Sequence, residues 1–183
     1  MTEAAKIVES RGYGRVVLLF EDEASFGRSN RPRSCWCKKK VRPHVPCAHI
    51  REYRHAFGAI EPLTGNKFFA ISHKCDTIRM YFFLKTISLA FPDDIIVLVC
   101  DGASWHKNPE IVPHNMIIVN LPTGSPEMNP MEQIWREIRS QGFGNLILPS
   151  LLAVLQRFSE TVRSLSRDTV KSISGRDWIL QCF

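Results

Sequence analysis

Asp22, Asp101 and Glu132 are acidic residues in three unlike local settings, and together they suit one chemistry. Cleaving or joining phosphodiesters by in-line displacement calls for two divalent cations, one activating the attacking oxygen and one stabilising the leaving oxygen, held by carboxylates from separate elements. Magnesium fits such a site because it prefers oxygen ligands and keeps waters that can become the nucleophile. Each residue also has a plain structural reading. An Asp at a strand end serves turns and caps, and Glu132, three residues after Asn129 with Pro130 between them, fits a capping box. Capping and metal binding coexist at such a position.

The elements that must carry these residues follow from hydrophobic patterning. Arg15 to Phe20 (RVVLLF) is a continuous apolar run closing on Glu21-Asp22-Glu23, as expected of a strand covered on both faces, with Asp22 at its end. Arg54 to Ile60 and Lys67 to Ser72 flank Glu61-Pro62-Leu63-Thr64-Gly65-Asn66, which predicts a turn between antiparallel strands. Met80, Phe83, Leu84, Ile87 and Phe91 recur at helical spacing, with Asp76 as N-cap and Pro92 as the stop. Ile95 to Cys100 (IIVLVC), closing on Asp101, and Met116 to Asn120 read as buried parallel strands. After a Pro-rich turn, Met131, Ile134, Trp135 and Ile138 mark a helix carrying Glu132 in its first turn, and Leu151 to Leu165 marks a last one. The order predicts an α/β fold: a mixed five-stranded sheet with helices on both faces, the ribonuclease-H-like arrangement.

The 183 residues suffice for one ordinary domain, expected over 15–183 after a lead-in at 1–14. A balance of 24 Lys and Arg against 18 Asp and Glu gives +6 and favours a polyanionic partner. Basic residues concentrate between Gly27 and Pro46, where Lys38, Lys39, Lys40 and Arg42 surround a loop containing Trp36 and are expected to track phosphates. The lead-in is no secretory signal and no apolar run reaches membrane-spanning length, so a cytoplasmic protein, on the nucleoid when bound to DNA, is expected. The six cysteines form no dense disulfide framework, and Cys35, Cys37, Cys47 and His49 lack the two-residue spacing of a zinc knuckle.

The segments FEDEASF, VCDGASWHK and LPTGSPEMNPMEQIW resemble the three signature blocks of DDE transposases in the mariner superfamily, especially the bacterial insertion-sequence six-thirty group. The third block is the most specific, with Leu-Pro, Ser-Pro-Glu, Asn-Pro, Glu and Trp in the family's order. The resemblance runs from Val16 to the last helix. It implies a ribonuclease-H-like fold, catalytic and metal-holding roles for Asp22, Asp101 and Glu132, two Mg2+ or Mn2+ ions, and metal-dependent cleavage and strand transfer in cut-and-paste transposition. It places His106 in the family's aromatic-His pair, where His106 and Lys107 are expected at the metal site or on DNA. Double-stranded DNA, as element ends and target, is the implied partner, and a homodimer is an allowed assembly. The chain departs from the family by a short stretch of 30 residues between Asp101 and Glu132. It also lacks a helix-turn-helix region that reads element ends, which would come from upstream or from a second polypeptide. The alternatives are another ribonuclease-H-like nuclease, against which the NPMEQIW block argues, and a DNA-binding protein derived from a transposase, against which the three intact carboxylates argue.

Overall fold

A computed structural model of the protein describes residues 14–29, 33–45, 47–106 and 108–181. The expected lead-in, apart from Gly14, and Lys107 lie outside the described residues. The elements run β1 (Val16–Gly27), β2 (Tyr53–Ile60), β3 (Lys67–Ser72), α1 (Thr77–Ala90), β4 (Ile95–Cys100), β5 (Met116–Asn120), α2 (Met131–Phe143), α3 (Leu151–Ser164), α4 (Arg167–Ser174) and α5 (Asp177–Leu180). Short 3-10 turns at Ser104–His106, Pro109–Ile111 and Pro126–Met128 occupy the connections after β4 and β5.

The sheet has the order β3-β2-β1-β4-β5. β1, β2 and β3 pair antiparallel, while β4 lies parallel to both β1 and β5. Two cores result because side chains alternate along each strand. Val17 and Leu19 join Met80, Phe83, Leu84 and Ile87 of α1 on one face. Phe20, Ala24 and Phe26 join Ile134, Trp135 and Ile138 of α2 and Phe158 of α3 on the other. No helix among the described residues is long and apolar enough to cross a membrane.

The structure departs from the sequence reading at three points. β1 does not stop at Phe20: its pairing with β4 ends at Phe20↔Val99, but the strand runs on against β2 through Asp22↔Gly58 to Gly27↔Tyr53. An apolar run marks only the stretch covered on both faces, and the polar residues that follow keep their backbone ladder. Asp22 is therefore inside a strand, just beyond the end of its parallel neighbour. The capping box at α2 does not form. Asn129 Oδ1 accepts from the Met131 N–H at 3.0 Å and Pro130 holds the cap position without a side-chain cap, which leaves the Glu132 carboxylate to its surroundings. Finally, the chain continues past α3 into α4 and α5, started by Ser166, whose hydroxyl accepts from the Thr169 N–H.

Candidate active site

Asp22 leaves β1 two residues after the last β1–β4 pair, Asp101 directly follows β4, and Glu132 lies in the first turn of α2. Asp22 stands just beyond the last β1–β4 pair and Asp101 just beyond β4, so the two lie together where the parallel pairing ends, and α2 brings Glu132 over them. All three line one cavity of about 310 Å³, closed by the segment from Leu121 to Pro126 and by Asn129.

The fold holds each carboxylate in place. The Trp135 indole N–H donates to Asp22 Oδ2 at 3.0 Å. Trp135 can lie there because its strand neighbour is Gly58, where an added Cβ would come within 2.4 Å of Met131 Cε and 2.6 Å of Trp135 Cη2. Asn129 Nδ2 donates to the Glu21 carbonyl at 2.8 Å and ties the start of α2 to β1. Asp101 Oδ1 accepts from the Ala103 N–H at 3.0 Å and lies 3.0 Å from His106 Nδ1. Burial pushes Asp22 up to about 7, and the nearby Glu132 carboxylate adds to the shift, while hydrogen bonds from the Glu23 backbone and Trp135 oppose it. A carboxyl crowded by a second one is what hard, oxygen-preferring divalent cations neutralise, so this donor set fits magnesium or manganese.

Alternation along β1 splits the acidic triplet. Asp22 faces α2, whereas Glu21 and Glu23 face the opposite side and meet His106. His106 Nε2 lies 3.2 Å from Glu23 Oε1 and 3.4 Å from Glu21 Oε2, and Nδ1 lies 2.9 Å from the Asp101 carbonyl. Both ring nitrogens face oxygens, an arrangement that an imidazolium donating to the Asp101 carbonyl and the Glu23 carboxylate satisfies. Burial opposes that charge, but hydrogen bonds with Cys100 and Glu23 and the facing Glu21 outweigh it and push His106 up to about 12. Burial, reinforced by Glu23, drives Glu21 the other way for a carboxyl, well above its usual range, and neither of its oxygens has a hydrogen bond. Trp105 Nε1 donates to Glu23 Oε1 at 2.5 Å.

Of the two places expected for His106, the metal site or DNA, its position is behind Asp101: it is 5% exposed, with both ring nitrogens engaged inside the protein. Lys38, Lys39, Lys40 and Arg42 are exposed on the β1–β2 loop, apart from the cavity. Sequence reasoning missed the roles of Glu21, Glu23 and Trp135. Carrying the period-two alternation through the triplet would have separated Asp22 from its neighbours.

Residues 17–151 match the family described as DDE superfamily endonuclease. An uncharacterized protein of Sinorhizobium fredii (strain NBRC 101917 / NGR234) is 35% identical over 97 residues, covering 52% of this chain and 72% of its own length. Among solved structures, the Mos1 transposase paired-end complex with left transposon end aligns with TM-score 0.66 at 9% identity, covering 95% of this chain and 55% of that one. The Mos1 mariner paired-end complex with Mn aligns with TM-score 0.67 at 9% identity, covering 86% of this chain and 51% of that one. At such identity the likeness is one of fold, and it is ribonuclease-H-like. The chain spans about half the length of these structural relatives.

Proposed function

We propose, from the premise that this chain belongs to the DDE superfamily endonucleases, that it cuts DNA strands and joins them to new DNA as the catalytic part of a cut-and-paste transposase. The observation that carries this reading is the meeting of Asp22, Asp101 and Glu132 on one cavity, from two adjacent strands and a helix. These three carboxylates would hold two magnesium or manganese ions, which supply Lewis acidity and an activated water or strand-end hydroxyl for in-line displacement. A solved complex of the relative with Mn supports that choice.

The chain's own residues prepare the cavity. Trp135 fixes Asp22 Oδ2, while His106 and the Ala103 N–H fix Asp101 Oδ1, so the donors are oriented in advance by their outer hydrogen-bond partners. Asp22, held near 7, is the carboxyl whose proton leaves when a cation is gained. The substrate is double-stranded DNA, in keeping with the transposon end in the relative's complex. Recognition of that end falls to a helix-turn-helix region upstream or on a second polypeptide, and two copies of the chain would pair two ends.

The test is nicking of supercoiled plasmid by the purified 183-residue chain. Cleavage is expected with magnesium or manganese, is lost with EDTA, and is lost in Asp101→Ala, whose circular dichroism stays that of the wild type. Retained cleavage in Asp101→Ala overturns the assignment. Faster cleavage of an RNA–DNA hybrid than of duplex DNA would point to a ribonuclease H instead.

A further inference from the structure

Behind the carboxylate cavity, on the face of the sheet that α1 covers, three side chains able to bind a metal come together. Val17 and Leu19 point to α1 and Phe20 to α2, so alternation turns Glu21 to the α1 side and Asp22 to the other. Glu21 and Cys100 each stand one residue beyond the Phe20↔Val99 pair of adjacent strands, and the 3-10 turn Ser104–His106 folds His106 back onto them. A carboxyl oxygen of Glu21, the Cys100 sulfur and a ring nitrogen of His106 all lie within 4.8 Å of one another, and all three residues are buried. Glu21 is the anomaly among them. Its side chain is wholly buried, yet neither carboxyl oxygen has a hydrogen bond among the described residues. A buried polar group left unpaired is costly, so this carboxyl calls for a partner of its own.

We propose that Glu21, Cys100 and His106 bind a zinc ion, with Glu23 in the fourth place, and that this ion clamps the ends of β1 and β4 to the turn behind Asp101. Spacing agrees. Glu21 Oε2 stands 3.4 Å from His106 Nε2, and two such donors on a tetrahedral zinc stand about 3.3 Å apart. The other ring nitrogen, Nδ1, lies 2.9 Å from the Asp101 carbonyl, the kind of outer partner that leaves Nε2 free to bind a metal. Glu23 Oε1 is 3.2 Å from the same Nε2 and is held by the Trp105 indole N–H. A thiolate and an imidazole select zinc, whereas magnesium prefers oxygen throughout. Charge agrees as well. The Cys100 thiolate and the Glu21 carboxylate cancel the two charges of the ion, as a buried site requires, whereas in the metal-free chain one imidazolium stands in the same place. The site is separate from the cutting centre, whose three protein donors are all carboxylates, so either can fail without the other.

The experiment purifies the full chain without chelators from cells grown with zinc, and again from cells grown with cobalt in its place. The zinc form is expected to keep about one ion per chain through gel filtration, measured by mass spectrometry. The cobalt form should show a thiolate-to-cobalt charge-transfer band in the near ultraviolet, which a centre of carboxylates cannot give. Cys100→Ala should lose both the ion and the band. Glu21→Gln, which keeps the shape of the side chain, should weaken zinc at least about a hundredfold in competition with a chromophoric chelator, more than the loss of an outer partner costs. Circular dichroism checks that each variant is folded, and Glu21→Gln decides alone should Cys100→Ala not fold. Cys35→Ser/Cys37→Ser/Cys47→Ser removes the exposed thiols of the β1–β2 loop, and Glu132→Gln alters the cutting centre. Both should keep the band. A wild type without zinc and without the band overturns the site, as does a band that survives in Cys100→Ala. Loss of the band in the triple serine variant would place the metal on the loop, and loss in Glu132→Gln would place it in the cutting centre; either result also overturns the proposal.

Discussion

Asp22 is under opposing demands, because burial beside Glu132 disfavours the charge that a cation requires. A carboxyl held near 7 in the folded chain keeps a proton that the unfolded chain releases near pH 4, so between those values the folded state binds more protons and stability falls as pH rises. At pH 8 the penalty is up to about 4 kcal/mol. Asp22→Asn is therefore expected to raise the Tm of the metal-free chain at pH 8 and to change it little at pH 4. Manganese should raise the wild-type Tm at pH 8 and leave that of Asp22→Asn nearly unmoved. A variant that melts at or below wild type at pH 8 would contradict this account. His106 supplies the cation on the other side of the strand. Its replacement by Ala leaves the largely buried Glu23 carboxylate without its counter-charge and should cost roughly 3–5 kcal/mol in urea denaturation. An unchanged midpoint would show that the cluster does not depend on the imidazolium.

At the scale of elements, the site depends on the fit of α2 to β2 at Gly58. Gly58→Ala forces Trp135 and Met131 away and should cost about 1–3 kcal/mol. Because Trp135 also orients Asp22, cleavage is expected to fall at least tenfold when assayed well below the melting temperature. Gly142→Ala provides the comparison: its Cβ would collide with the Thr161 side chain of α3, ten residues along α2 from Glu132, so it should lose stability but keep its rate. Equal loss of rate in both would reduce the role of Gly58 to general packing. Sequence reading did well where a strand is apolar throughout, since β3, β4 and β5 begin and end where the pattern does. It failed in the second half of β1, where one backbone ladder holds polar residues that no apolar run announces, and at Asn129, whose side chain serves the Glu21 carbonyl and the Met131 N–H. That Asp22, Asp101 and Glu132 would share one cavity could be read from residue type and motif order. The imidazolium behind Asp101 could not, because its partners are distant in sequence and meet only across the sheet.

For the molecule as a whole, an excess of basic residues, with no basic recognition helix among the described residues, predicts binding that follows charge. The chain alone should bind terminal-repeat and scrambled duplexes with similar affinity, and both should weaken steeply between two salt concentrations. A preference of about a thousandfold for the terminal repeat would show that this fold reads sequence directly. The order in which the fold closes has a further consequence. Asp22 and Asp101 hang from a sheet finished at Asn120, but Glu132 rides on a helix whose apolar face is sealed by Phe158, Val170 and Ile179. On the ribosome, the third carboxylate is thus seated only after residues as far as Ile179 have emerged. A product of translation halted before Val170 would hold Asp22 and Asp101 at the sheet edge without a firmly seated Glu132, so the proposed centre would be incomplete in it.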